Sequence, residues 1–252
     1  MLDRAAIDAT STNDLDALGL RTDSLSDAAV MFMGYQRTKQ ISKETRKAWD
    51  AGDTAPMAAE VSRRRGEIIR GTFAEIWQEY LPTRAYLNAE GITPTHVADV
   101  GSGSAINDVF LAADFAPRFT LIDIEETDDQ YHGWNKSGAG YASLEAAKAL
   151  LVENGVAEDA VTLINPTKTP AAVAEVSPNL ATSLYSCGFH YPIDDYLDLF
   201  LRTLGNSGAV VLDIRGHYWR RKPEALAKLC DAGSVTEIYH DERSVRIGVR
   251  GV

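Results

Sequence analysis

What this chain lacks narrows it first. Cysteine is nearly absent: Cys187 and Cys230 are the only two in 252 residues, and they show no C-x-x-C spacing. A disulfide framework or a zinc knuckle needs more, so both are expected to be thiols. Basic residues are in deficit, with 25 Lys and Arg against 36 Asp and Glu and a formal net charge of −11. That balance repels a phosphate backbone and an anionic membrane surface, so the expected partner is a small molecule, with no nucleic acid and no membrane. Long apolar runs are missing from the N-terminal region, where the longest, Ala28 to Met33, falls far short of the ~20 residues that span a bilayer. Met1 to Asp16 alternates acids with small residues and has neither a basic nor an apolar leader segment, so the expected location is cytoplasmic.

What the chain does have is a regular alternation of short apolar runs and helical patterns from residue 96 onward. Strands are expected at 96–101, 118–124, 160–165, 179–186 and 208–214, with helices at about 105–114, 142–154, 169–175, 191–204 and 223–232. Two last strands, roughly 234–241 and 244–250, alternate apolar with polar residues and read as an antiparallel pair. The result is an α/β fold, a mostly parallel seven-stranded sheet covered by helices on both faces. Residues 1–92 read as an arm and a helical cap, with helices from Ser24 or Ser26 to Tyr35, from Ser42 to Ala51, from Ala55 to about Tyr80 and from Thr83 to Glu90. Pro82 is expected to end the long one. Residues 93–252 form the sheet domain. The cap either packs on that domain or serves as a lid, and Arg63, Arg64 and Arg65 read as a solvated helix face rather than a phosphate contact.

The chemistry concentrates where the first strand meets its helix, at Asp99-Val100-Gly101-Ser102-Gly103-Ser104-Ala105. Two glycines one residue apart let the backbone turn tightly against a ligand, and the following helix offers free N–H groups. A dinucleotide motif needs a third glycine where this chain has Ile106, and Asp99 would repel a pyrophosphate, so a nicotinamide oxidoreductase is disfavoured. A cofactor with a positively charged amino-acid end suits that acid. Asp123, at the end of the second strand, can accept both hydroxyls of a ribose, with Ile124 beside it and Glu125 in reserve. Asn165 marks the third strand end, where adenine would lie, and Ser186 the fourth. The link between Ile124 and Ala142 is longer than such links require, and its Tyr131, His132 and Trp134 are expected to border the substrate. His190, just past the fourth strand, is the expected general base, with Tyr191 next to it. Asp213 and Arg215, closing the fifth strand, are candidates to orient substrate hydroxyls or a phosphate, or else to pair with a strand-end acid.

The pattern D-x-G-x-G at Asp99 to Gly103 resembles the first motif of class I S-adenosylmethionine (SAM)-dependent methyltransferases, in which the acid lies near the methionine ammonium. Five strands with crossover helices and a terminal antiparallel pair are also the usual Rossmann-like layout of that class. One departure is Ala105, where those enzymes commonly carry a further glycine. More specifically, Tyr131-His132-Gly133-Trp134, Gly138 to Leu144 and Ser183 to Pro192 resemble a group of bacterial sugar O-methyltransferases, over roughly residues 95 to 215. The resemblance implies SAM as cofactor, S-adenosylhomocysteine (SAH) as product and a sugar hydroxyl as acceptor. Some sugar methyltransferases use a divalent cation, to which Asp213 and His190 would contribute, but no metal spacing here commits to one. Another O or N acceptor, a silent SAM-binding module and a homo-oligomer stay open.

Overall fold

The computed structural model describes residues 15–37, 39–125, 142–240 and 243–251. Its centre is a seven-stranded sheet of β1 (His96–Val100), β2 (Arg118–Ile122), β3 (Val161–Ile164), β4 (Leu180–Ser183), β5 (Ala209–Arg215), β6 (Gly233–His240) and β7 (Ser244–Gly251), in the order β3-β2-β1-β4-β5-β7-β6. The first five run parallel, and β7 lies antiparallel between β5 and β6. This is the expected sheet.

The strands read as continuous apolar runs because both faces are covered, and side chains of opposite parity go to opposite cores. Val97, Phe119, Leu121, Leu180 and Val211 face one core, whereas Ala98, Val100, Ile122, Ala181, Val210 and Leu212 face the other. The second core is closed by helices from the C-terminal half, chiefly Leu197–Gly205 and Glu224–Asp231. The first is closed by Ile106–Phe115 (α4), Leu144–Glu153 (α5) and the N-terminal helices α1 (Asp27–Gln36), α2 (Lys43–Asp50) and α3 (Ala55–Ala89). Serines at 26, 42 and 143 cap α1, α2 and α5 by accepting a backbone N–H of the first turn.

The cap therefore shares a core with the sheet. Phe73, Trp77 and Tyr80 of α3 pack their rings on Phe110 of α4 at centroid distances of 6.3, 4.9 and 5.7 Å, and Tyr80 donates to Asp114 Oδ2 at 2.5 Å. Against expectation, α3 runs through Pro82 for 35 residues. The proline withholds an N–H from its helix, but the turn around it is held from outside: Arg246 of β7 donates to the Glu79 carbonyl and, at 3.2 Å, to Thr83 Oγ1. The non-helical residue is instead Arg64, whose side chain is bonded to Glu60 and Glu67. With Arg65 bonded to the Leu25 carbonyl and 3.4 Å from Asp27, two of the three consecutive arginines are spent within the cap.

Strand β4 also stops earlier than expected. Tyr185 takes a left-handed φ of 52°, which no strand continues, and Ser183 Oγ donates to the Val100 carbonyl while accepting from Cys187 N, so the chain folds over the end of β1. Helix resumes only with a 3₁₀ turn at Asp194–Tyr196. A further short helix, Gly216–Arg221, follows β5 and was not apparent in the sequence pattern.

Arg246 owes its position to Asp213. The two side chains are each 1% exposed and form a bidentate pair, Nε to Oδ1 at 2.8 Å and Nη2 to Oδ2 at 2.7 Å. Removing one partner leaves a buried charge, so Arg246→Met is expected to cost about 3–5 kcal/mol in urea unfolding, while the double change Asp213→Leu, Arg246→Met regains most of it. A loss below about 1 kcal/mol for the single variant, within the range of an exposed pair, would show that the pair does not hold cap to sheet.

Candidate active site

A cleft of about 700 Å³ opens at the carboxyl ends of β1, β2 and β4 and is roofed by α1 and α3. The topology dictates the place. Connections from β1 and β4 leave toward opposite faces, so the strand ends between them stay uncovered.

The floor is the turn after β1. Gly101 (φ 76°) donates to the Ile122 carbonyl at 2.7 Å, and a Cβ on it would stand 1.9 Å from Ser186 Oγ, so the turns after β1 and β4 touch through this glycine. A Cβ on Gly103 (φ 54°) would meet no atom within 4 Å, which leaves the main chain there open to a ligand. Ala105, the departure from the glycine pattern, is itself left-handed at φ 54° and begins α4 without a side-chain cap. Alanine accepts at this position a strain of roughly 1 kcal/mol that glycine would not.

Asp123 fastens this turn. Its Oδ2 accepts from Gly103 N at 2.7 Å and its Oδ1 from Ile124 N at 2.8 Å. Burial in the cleft, helped by the charges of Asp99 and Glu125 and opposed by the two N–H bonds, pushes its pKa up to about 7. Asp99 is buried and accepts from Thr182 Oγ1 at 2.6 Å. Ser102 Oγ and both amide atoms of Asn107 are buried against the cleft without a partner among the described residues.

The wall after β4 carries Tyr185, Ser186, Phe189, His190 and Tyr191. Ser186 Oγ lies 3.1 Å from the Tyr191 hydroxyl, and the backbone is fixed by Gly188 N to Tyr191 O and Arg215 N to Gly188 O. His190 projects into the cleft with its ring edge on Phe189 at 5.1 Å, and partial burial and the charge of Arg215 hold its pKa below the ordinary histidine value. At neutral pH it is an uncharged imidazole, a proton acceptor.

The roof comes from the cap, which the sequence reading had not tied to specific site residues. Arg37, at the end of α1, lies 2.5 Å from Glu79 and 3.6 Å from Glu75 and sits over the Tyr185 ring at 5.8 Å; Lys39 lies 3.7 Å from Glu75. Glu75 and Glu79 fall four residues apart on α3, beside the apolar stripe of Phe73 and Trp77, and such acids flanking a buried stripe are the one signal that pointed inward.

Of the residues the sequence singled out, Asp99, Gly101, Ser102, Gly103, Asp123, Ile124, Ser186, His190 and Tyr191 meet in this cleft. Asp213 does not: its carboxylate is consumed by Arg246, which removes it as a substrate ligand and as a partner of His190 in a cation site. Arg215 lies behind the wall, its guanidinium 4.7 Å from the Phe189 ring centre, rather than in the cleft lining. Asn165 also lies outside that lining, its Oδ1 accepting from Thr167 N and Oγ1 to build the turn after β3. Tyr131, His132 and Trp134 lie outside the described residues. Among the described residues no three His, Cys, Asp or Glu side chains are placed to hold a metal ion, and no helix is long and apolar enough to cross a membrane.

The sheet order, the crossover helices and the antiparallel β7 define a Rossmann-like, mostly parallel seven-stranded fold. Among solved structures, several methyltransferases show partial likeness. The apo form of the S-adenosylmethionine-dependent methyltransferase SibL aligns with 89% of this chain and 70% of its own at 17% identity, with a TM-score of 0.47. Cofactor-bound Rv0187 from MTB aligns with 98% of this chain and 89% of its own at 13% identity and 0.43, and precorrin-6y C5,15-methyltransferase from Geobacter metallireducens GS-15 with 63% and 80% at 13% and 0.40. No protein-family model and no curated protein sequence matches the chain.

The raised pKa of Asp123 has a measurable sign. An unfolded Asp titrates near 3.9, so between about pH 4 and 7 the folded state keeps a proton that the unfolded state has lost. The contribution of Asp123 to stability is therefore full below pH ~4 and is lost as pH rises to about 7. Asp123→Asn should grow steadily more stable relative to wild type across that window in thermal unfolding; a pH-independent difference would mean that Asp123 is ionised throughout.

Proposed function

We propose that this chain is a SAM-dependent methyltransferase acting on a hydroxyl of a sugar or sugar-like small molecule. The observation that carries the cofactor is the convergence, in one cleft, of the Asp99 to Gly103 turn, the Asp123 carboxylate and the unpartnered Ser102 hydroxyl and Asn107 amide. Those groups fit SAM: Asp123 has lone pairs left for two ribose hydroxyls, the open backbone at Gly103 admits close approach, and buried polar atoms wait for donors and acceptors.

SAM, when bound, supplies an electrophilic methyl group on a sulfonium. A sugar hydroxyl attacks poorly until its proton is leaving, and the neutral His190 imidazole takes that proton on a ring nitrogen. The acceptor class is supported by the wall and roof. Tyr185, Phe189 and Tyr191 offer faces to the C–H surface of a ring, and the Arg37, Glu75 and Glu79 cluster offers donors and acceptors to hydroxyls. The chain's net negative charge favours a small molecule over nucleic acid.

Calorimetry should detect SAM and SAH, and Asp123→Ala should weaken SAH by about 1–3 kcal/mol. Preference for NAD, or no binding by the wild type, would overturn the cofactor assignment. His190→Ala should cut kcat by about 10²–10⁴-fold at nearly unchanged SAH affinity, and the wild-type rate should fall at acid pH as the imidazole is protonated. Strong SAM binding without methyl loss across a broad panel of sugars and other small acceptors would favour the silent binding module instead.

A further inference from the structure

Asp108 has no role in the site described so far, yet it is buried in an unfavourable place. It sits in the first turn of α4, where an acid ordinarily meets backbone N–H groups or water. Here it is 0% exposed, and neither oxygen meets an N–H or hydroxyl donor among the described residues. An ionised carboxylate in that position would be stripped of water with nothing in return. The polar group within its hydrogen-bonding reach is the carboxyl of Asp99 on β1, itself only 5% exposed.

Two buried carboxyls that face each other cannot both ionise, and one proton shared between them turns repulsion into a hydrogen bond. The proton goes to Asp108. Asp99 already accepts from Thr182 Oγ1 at 2.6 Å, which favours its ionised form, whereas Asp108 has no such donor. Burial raises both carboxyls, and the Asp99 charge raises Asp108 in addition. Among the described residues the charged group next to the pair is Asp123 at the neighbouring strand end, which feels the Asp99 charge. The next residue back, Asn107, lines the same cleft with its amide unpartnered, so this turn is built toward a ligand.

We propose that Asp108 is a protonated carboxylic acid whose O–H donates to Asp99, and that it is a positioning residue which fixes the Asp99 carboxylate, held on its other side by Thr182, toward the cationic amino-acid end of the cofactor. The positioning half rests on the cofactor assignment above; the protonation does not. With the proton in place the floor presents one negative charge to that cation, in one orientation. Without it, the pair would carry two charges repelling each other.

The test has two arms on the full chain. In the first, carboxyl ¹³C resonances of labelled aspartates are followed above pH ~5, where an ordinary Asp is ionised. A protonated-carboxyl resonance at neutral pH that disappears in Asp108→Asn is expected; an Asp108 that is ionised there, in a wild type that binds SAH, would overturn the proposal alone. In the second arm, calorimetry with SAH should show Asp108→Leu weakened by about ten- to hundredfold, with Asp108→Asn, whose amide can still donate to Asp99, recovering most of the loss. Equal loss in both variants would overturn the positioning role. A wild type that keeps the protonated resonance but binds neither SAM nor SAH would overturn the cofactor assignment, and the positioning role with it.

Discussion

Everything about this cleft follows from one packing constraint: the turn after β1 must pass against the turn after β4. The two strands are neighbours in the sheet, but their connections diverge to opposite faces, so their ends meet with no helix between them. Gly101 makes the contact sterically feasible, because any side chain there would occupy the space of Ser186. The two ends are then cross-tied, Thr182 to Asp99 and Ser183 to the Val100 carbonyl. Floor and wall of the cleft are thereby one mechanical unit. A shift of His190 relative to Asp99 would have to break buried hydrogen bonds.

The cap is joined to that unit by a second buried interaction of a different kind. The Asp213 and Arg246 pair lies inside the sheet, yet Arg246 spends its remaining donor capacity on the α3 turn that bears Glu79. Glu79 in turn holds Arg37 over Tyr185. A chain of charge thus runs from the fifth and seventh strands through α3 to the cleft roof. With the ring cluster on Phe110, it fixes α3 as a wall.

The sheet was legible because burial on both faces writes strands as uninterrupted apolar runs, and the seven expected strands lie within a few residues of the observed ones. The errors came from tertiary interactions overriding local rules. Pro82 should break a helix and does not, since Arg246 supports its turn from 163 residues away in sequence. Tyr185 should extend β4 and does not, because ties to β1 turn the chain there. Asp213 and Arg215 read as candidates to orient a substrate or to pair with a strand-end acid, and the fold gives each a different partner. Asp213 is drawn inward by Arg246, and Arg215 ends the strand on Phe189. The roof was harder to read: the spacing of Glu75 and Glu79 beside an apolar stripe hinted at it, but their meeting with Arg37 depends on how α1 packs on α3, which no local pattern encodes.

The distribution of charge in the cleft is the last piece that the sequence total of −11 conceals. Acids gather at and beneath the floor, where the Asp99 charge acts on both Asp108 and Asp123, and burial raises the pKa of all three. A floor of three full charges would be prohibitive, so the site holds protons and presents less charge than its composition suggests. The wall is treated in the opposite sense, with Arg215 placed behind Phe189 so that His190 stays neutral. Burial thus pushes the floor acids up and the wall histidine down, with neighbouring charges adding to the shift of Asp108, Asp123 and His190. On the proposed reading this sorts the two jobs: the acidic floor favours a cationic ligand over its neutral product, and the uncharged imidazole remains free to take a proton. Both follow from where each side chain sits relative to water, and neither from its identity alone.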